Sequence, residues 1–234
     1  MMGLFGTMVQ ISASLLQNGF TDWHCHLLPG VDDGVQTAEE SIRILDAYER
    51  AGIRDVWFTP HIMEDIPNTT AFLRERFVAF QLEYTGGVHL HLAAENMLDS
   101  LFEERLRADD FLPLASRRLL VETSYFNPPY NLHGILKQVA SKGYFPMLAH
   151  PERYVYMSPQ DYRTLKDMGV QFQLNVPSLY GAYGPEVKAR AEHLLRDGYY
   201  DICGTDCHRE GAAQRLLQER LKKKIVRQIP VQGL

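Results

Sequence analysis

Phe20-Thr-Asp-Trp-His-Cys-His26 and Tyr200-Asp-Ile-Cys-Gly-Thr-Asp-Cys-His208 lie near opposite ends of the chain and finish alike. Each closes an apolar run with two metal-type ligands two residues apart, His24 with His26 and Asp206 with His208. Side chains at i and i+2 of a strand share a face, so each pair can aim both ligands at one point. Cys25 and Cys207 alternate with them and are turned away from that point. A first and a last strand built alike predict a closed barrel with a multi-metal hydrolytic site at its rim.

The intervening sequence fills in that ring. Strand-like runs at 55–59, 88–94, 118–121, 145–149 and 171–174 join 20–23 and 200–204 to make seven in all. Helical runs separate them at 37–51, 70–84, 97–107, 132–142, 159–168 and 185–197, with a final helix over 212–223. Thr37 and Glu40 have the spacing of a capping box, Ile42, Leu45 and Tyr48 recur at helical intervals, and Gly52 stops the helix. Alternating strands and helices predict a parallel sheet, and in a barrel the working residues lie at the C-terminal strand ends. Those ends carry His24/His26, His61, Glu95, Glu122, His150, Asn175 and Asp206/His208. An open doubly wound sheet is the alternative fold; it would gather a site at one switch point rather than around a ring.

The chain of 234 residues suits one large α/β domain. The expected organisation is an N-terminal extension over residues 1–20 and one catalytic domain over 21–234. At 45% hydrophobic and 23% charged residues it can bury a full core, and a net charge of -5 lacks the basic footprint of a nucleic-acid binder. Cys25, Cys203 and Cys207 make no disulfide framework and fit a reducing cytosol. Residues 1–20 lack the basic start of a signal peptide, and no run approaches the roughly 20 apolar residues of a membrane span. The expectation is a cytoplasmic protein with no membrane insertion; its oligomeric state is open.

His24, His26, His61, Glu95, Glu122, His150, Asp206 and His208, with an aspartate of the loop Pro29-Gly-Val-Asp-Asp-Gly34, are candidate ligands; Asp32 reads as a loop carboxylate or one that supports a ligand from behind. Five imidazoles and four carboxylates exceed the needs of one tetrahedral zinc. They suit two or three divalent ions with bridging carboxylates, and a donor set without thiolate admits Mn²⁺, Fe²⁺ or Zn²⁺. Four carboxylates against three dications leave a charge of about +2, which favours an anionic, phosphate-like substrate. Arg153, three residues after His150, can grip phosphate oxygens in a bidentate fork, or else pair with Glu152 on the surface. His89, His91, His133 and His193 fall within strand or helix runs and read as structural. Cys203 and Arg209 match the C-x5-R spacing of cysteine-dependent phosphatases. Cys203, however, sits in an apolar strand, and its loop lacks the glycines that expose amides to phosphate.

The segments Asp22-Trp-His-Cys-His-Leu-Leu-Pro-Gly-Val-Asp-Asp-Gly34, Thr59-Pro-His61, Glu95, Val121-Glu122, Ala149-His-Pro-Glu-Arg-Tyr154 and Gly204-Thr-Asp-Cys-His208 resemble the polymerase-and-histidinol-phosphatase (PHP) superfamily. More narrowly, they resemble its bacterial capsule-type tyrosine phosphatases, over about residues 21–215. The resemblance implies a distorted (β/α)7, TIM-like barrel of PHP type holding up to three metals, often manganese. It selects Asp33 over Asp32 as the ninth ligand and implies that Arg153 assists catalysis, with Asn175 and the loop from Ser178 to Gly184 lining the phosphotyrosine pocket. The implied reaction is hydrolysis of phosphotyrosine by metal-activated water, typically on the tail of a bacterial tyrosine autokinase that controls exopolysaccharide or capsule synthesis. The chain departs from the pattern at Ile62 and at Arg209-Glu210, and Arg215 is the candidate for a second family arginine. Two other functions fit the same residues: a phosphoesterase acting on histidinol phosphate or a nucleotide, and a non-catalytic partner that docks on a kinase tail.

Overall fold

The computed structural model describes residues 7–16 and 19–230. In chain order it contains β1 (Met8–Gln10), α1 (Ile11–Ser14), β2 (Thr21–Cys25), α2 (Ala38–Ala51), β3 (Asp55–Phe58), β4 (His61–Ile62), α3 (Thr70–Glu83), β5 (His89–Leu92) and β6 (Glu95–Met97). There follow α4 (Ser100–Ala108), β7 (Arg118–Glu122), α5 (Leu132–Ser141), β8 (Phe145–Ala149), α6 (Pro159–Asp167), β9 (Gln171–Asn175) and α7 (Val176–Leu179). The chain then runs through α8 (Pro185–Arg196), β10 (Ile202–Gly204), α9 (Glu210–Gln218), β11 (Arg220–Lys222) and α10 (Lys223–Val226).

Two parallel arcs, β2-β3-β5 and β10-β9-β8-β7-β6-β4, form one ring. Pro60, which has no N–H to give a ladder, separates β3 from its continuation β4; β5 resumes as β6 after Ala93 and Ala94. The other seam closes where the Asp206 N–H donates to the His24 carbonyl at 2.7 Å and the His26 N–H to the Cys207 carbonyl at 2.9 Å. The result is a seven-stranded (β/α) barrel, broken in two of its strands, and not an open sheet. Gly204 permits the closing seam: a Cβ there would lie 2.5 Å from the His24 Cβ.

Alternation along the strands sorts interior from exterior. Trp23, Ala93, Leu120, Met147, Ala149 and Ile202 pack together inside the ring, and Trp23 stacks on Trp57 with ring centroids 5.4 Å apart. Continuing by twos from Trp57, Ala93, Leu120 and Ile202 reaches His61, Glu95, Glu122 and Asp206, all at the C-terminal mouth. His24 and His150 break this parity. A register shift between Asp22 and Cys25 in β2 re-aims His24, and the left-handed backbone at His150 (φ 34°) re-aims its ring. Asp206, at φ 50°, is also left-handed. Such conformations cost about 1–3 kcal/mol each and persist only where surrounding contacts impose them. Cys25, Cys203 and Cys207 face outward into the apolar layer between barrel and helices, as the alternation predicts for Cys25 and Cys207.

Several expected boundaries shift for physical reasons. The Thr37 hydroxyl caps the Glu40 N–H, but the Glu40 carboxylate does not return the bond. It accepts instead from the Glu210 N–H at 3.0 Å and pins α2 to the start of α9. The helix expected over 212–223 stops at Gln218, because 220–222 pair antiparallel with β1. Residues 1–6, 17 and 18 of the expected N-terminal extension lie outside the described residues. Its residues 8–10 form the other half of that antiparallel pair, and Ile11, Leu15 and Leu16 are fully buried in the main core. Ile11→Ala should therefore destabilise the fold by about 2–5 kcal/mol, the usual cost of a buried isoleucine cavity. Urea unfolding would show it; an unchanged midpoint would mean this segment is dispensable.

Candidate active site

The mouth of the ring gathers all nine expected ligands. His24, His26, His61, Glu95, Glu122, His150 and Asp206 are buried, His208 is half-buried, and Asp33 is exposed on its loop. Glu95 stands at the centre. Its Oε2 lies 3.2 Å from His24 Nε2, 3.3 Å from His26 Nε2 and 3.3 Å from His61 Nδ1, and its Oε1 lies 2.9 Å from His150 Nε2. Four overlapping groups have donor atoms within 4.8 Å of one another: His26–Asp33–His61–His208, His61–Glu95–Glu122, His24–Glu95–His150 and His24–His26–Asp206. Carboxylates and imidazoles so interleaved can share ligands between neighbouring ions.

Electrostatics make the same demand for positive charge. Burial opposes protonation of His24 and His61, yet the facing carboxylates overcome it, holding these imidazoles up at about 9 and about 10. For His24 the main partner is Glu95; for His61 they are Glu122 and Glu95. Burial likewise opposes ionisation of Glu95 and Asp206, but His24 and the other imidazoles hold both carboxyls below the usual range. Two buried atoms, His61 Nδ1 and Glu122 Oε1, face each other at 3.0 Å and make no hydrogen bond. Buried polar atoms without partners are rare, and a shared cation would satisfy this pair.

Neighbouring residues set the ring orientations. Asp32 Oδ2 lies 2.8 Å from His26 Nδ1 and accepts from the His61 N–H at 3.0 Å. Gln173 Oε1 lies 3.0 Å from His24 Nδ1 and accepts from the His150 N–H at 3.2 Å. The contacts to His26 and His24 use Nδ1 and turn Nε2 toward the cluster, the arrangement that fixes a tautomer for ligation, while those to His61 and His150 hold the backbone. Asp22, buried at the closing seam, accepts from the Thr205 N–H at 2.8 Å and the Thr205 hydroxyl at 2.7 Å. Burial pushes its carboxyl up to about 6 despite these bonds. Sequence reasoning missed Gln173 as a site residue; the polar, inward positions 171, 173 and 175 in an otherwise buried strand were the available signal.

Arg153 is held in the mouth. Its guanidinium lies between two rings, 4.3 Å from the centre of Tyr125 and 4.2 Å from that of Tyr183, and Nη1 donates to Asp206 at 2.8 Å. It does not pair with Glu152, which is buried below and accepts from the Tyr200 hydroxyl, the Ser178 hydroxyl and the Asn175 N–H. The expected pocket contacts are thus placed differently. Ser178 is fully buried with its hydroxyl spent on Glu152 at 2.8 Å, so it supports the loop from beneath and lines no part of the cavity. Asn175 donates to Asp206 at 2.8 Å and to the Tyr183 hydroxyl at 3.1 Å, beneath the cavity wall. Tyr183, from the expected pocket loop, and Tyr125, which the sequence did not single out, form walls of a cavity of about 340 Å³ above the cluster. His91 lies outside the mouth, stacked on Trp57 and 3.0 Å from Asp55.

Fold and cluster together define an α/β-barrel protein of the kind that carries hydrolytic metal centres at its C-terminal strand ends. The chain belongs to the capsular polysaccharide synthesis CpsB/CapC family, whose model matches residues 20–229. The tyrosine-protein phosphatase YwqE of Bacillus subtilis is 30% identical over 196 residues, 80% of this chain and 76% of that protein. The tyrosine-protein phosphatase CpsB of Streptococcus pneumoniae is 28% identical over 201 residues, 80% of this chain and 82% of that protein. A solved structure from work on YwqE and CpsB, described there as unique metal-dependent tyrosine phosphatases, superposes with a TM-score of 0.75 at 24% identity. It covers 92% of this chain and 99% of that one.

The thiols separate this site from cysteine-dependent chemistry. Burial raises Cys25 and Cys203 well above the ordinary thiol range and pushes Cys207 up to about 12. All three are then neutral at pH 7–8, and only the thiolate is nucleophilic. In the folded protein they should resist iodoacetamide at pH 8 and label only on denaturation. Rapid labelling of Cys203 in native protein would contradict its placement.

Proposed function

We propose that the chain is a metal-dependent protein-tyrosine phosphatase of the bacterial cytoplasm, acting on the phosphotyrosines of a tyrosine autokinase in capsule or exopolysaccharide regulation. The observation that carries this reading is the Glu95-centred cluster of five imidazoles and four carboxylates beneath the clamped guanidinium of Arg153. Family membership and the names of the bacterial relatives support the substrate class.

The donor set fits two or three divalent ions and admits Mn²⁺, Fe²⁺ or Zn²⁺, among which the family resemblance favours Mn²⁺. His26, Asp33 and His208 would hold one ion, Glu95 and Glu122 a second, and His24, Glu95 and His150 a third, with the single lone pair of neutral His61 going to the first or the second. Such ions lower the pKa of a water at neutral pH and offset negative charge on a transferring phosphoryl group. Loading them displaces protons from His24 and His61, since only neutral imidazole ligates.

The chain's own groups do the rest. Asp32 and Gln173 keep Nε2 of His26 and His24 aimed at the cluster. Arg153 spends one N–H on Asp206, and its other N–H groups have no protein partner among the described residues, so they can take phosphate oxygens in a fork. Its charge is fixed by Tyr125 and Tyr183 before substrate arrives, which avoids reorganisation as charge develops. The same two rings offer faces to a phenyl phosphate, favouring phosphotyrosine over phosphoserine.

Arg153→Ala should lower kcat on a phosphotyrosine peptide by about 10²–10³-fold while leaving metal content near wild type. Equal loss of metal would make it a structural residue of the cluster. A panel of phosphotyrosine peptide, phosphoserine peptide, histidinol phosphate and a phosphorylated DNA end tests the substrate class. Preference for the phosphotyrosine peptide supports it, and preference for any of the others overturns it.

A further inference from the structure

Beside the catalytic cavity lies a second one of about 360 Å³, with Pro177, Tyr180, Tyr183, Arg209, Ala212 and Arg215 in its walls. The two are adjacent and share part of their walls: Tyr183, Asp206, Arg209 and Ala212 line both. Its chemistry differs from that of the first. The carboxylate Asp206 at the junction is already engaged by Arg153 and Asn175. Arg209 stands on the shared rim, exposed, and its guanidinium has no hydrogen bond or ion pair among the described residues. Arg215 lies 5.2 Å from the centre of the Tyr180 ring and spends Nε on Glu219 at 3.0 Å. The chamber therefore offers two guanidinium groups, one wholly uncommitted, next to aromatic walls, and it shares Tyr183 and Arg209 with the catalytic cavity.

We infer that this second chamber is a substrate subsite that takes an anionic side chain flanking the scissile phosphotyrosine, held by Arg209 and Arg215. The inference rests on the phosphotyrosine reading above. The shared chemistry is an oxyanion on the same peptide, supplied by an acidic residue or by a second phosphotyrosine; Tyr180 and Tyr183 give the latter an added surface for its ring. A guanidinium fork pairs with either carboxylate or phosphate. This arrangement also gives the chain's departure at Arg209 a role, and it places Arg215 outside the catalytic cavity, with the flanking residue rather than with the reacting phosphate. Arg209 and Arg215 are thus specificity residues, not catalytic ones.

Three phosphotyrosine peptides test it on the manganese-loaded protein: one with neutral flanks, one with Asp and Glu flanks, and one with a neighbouring second phosphotyrosine. The readout is the ratio of kcat/KM for each anionic peptide to that for the neutral one. Wild type should favour an anionic peptide by about three- to tenfold, expressed mainly in KM, within the usual range for charge-assisted pairs. The double change Arg209→Gln with Arg215→Gln should bring the ratio close to one, and Arg209→Lys with Arg215→Lys should restore part of it. If the doubly phosphorylated peptide alone is favoured, the ligand is phosphate; if both are, any oxyanion serves. Equal rates for all three peptides in wild type, or an undiminished ratio in the glutamine variant, would overturn the subsite while leaving tyrosine phosphatase activity intact. Absence of hydrolysis of every peptide would overturn the phosphatase reading itself, and the subsite with it.

Discussion

Glu95 is the constraint around which the molecule is organised. One buried carboxylate lies within hydrogen-bonding reach of four imidazoles that arrive from three other strands of the barrel. Burying Glu95, Glu122 and Asp206 near one another is costly unless cations share the space. The raised imidazole pKa values and the unbonded His61–Glu122 contact are two expressions of that requirement. Bound divalent ions meet it with more charge per site than protons do, and they convert a destabilising concentration of anions into a catalytic one.

The barrel makes such a cluster feasible because a closed parallel ring brings seven strand ends to one mouth. Most ligands arrive by simple alternation from interior apolar residues. Of the others, His24 with His26 is supplied by a register shift, His150 by a left-handed backbone, and Asp33 by a loop. Strain thus appears where ligand geometry and the regular strand disagree, which is the expected place for it in a functional site. Gly204 and Asp22 serve the same end at the closing seam. The glycine lets β10 approach β2, and the carboxylate ties Thr205 to the strand that bears His24.

Much of this was legible in the sequence because ligand type and strand position are both local properties. Alternation within the dyads at 24/26 and 206/208, and the placing of a ligand residue at nearly every strand end, were enough to bring the set to one mouth, though not to show how His24 and His150 are aimed. What escaped depends on long-range contacts. Gln173 is an ordinary strand residue until His24, 149 positions away, is seen against it. Tyr125 sits in a loop with no periodicity to mark it, and nothing in the expected loop 178–184 signalled that Tyr183 would clamp the same guanidinium. Ser178 resembled a pocket residue, but the demand of buried Glu152 for donors turned it inward. Residues 220–222 carry helical composition yet form a strand, because pairing with residues 8–10 satisfies their backbone.

The most direct test of the account is hydrolysis of a phosphotyrosine peptide by metal-stripped protein, before and after Mn²⁺ is returned, with Cys203→Ser measured alongside. The account predicts that stripping abolishes phosphate release, that Mn²⁺ restores it, and that Cys203→Ser retains it. Activity that ignores metal and is lost in Cys203→Ser would contradict the metal-centred mechanism.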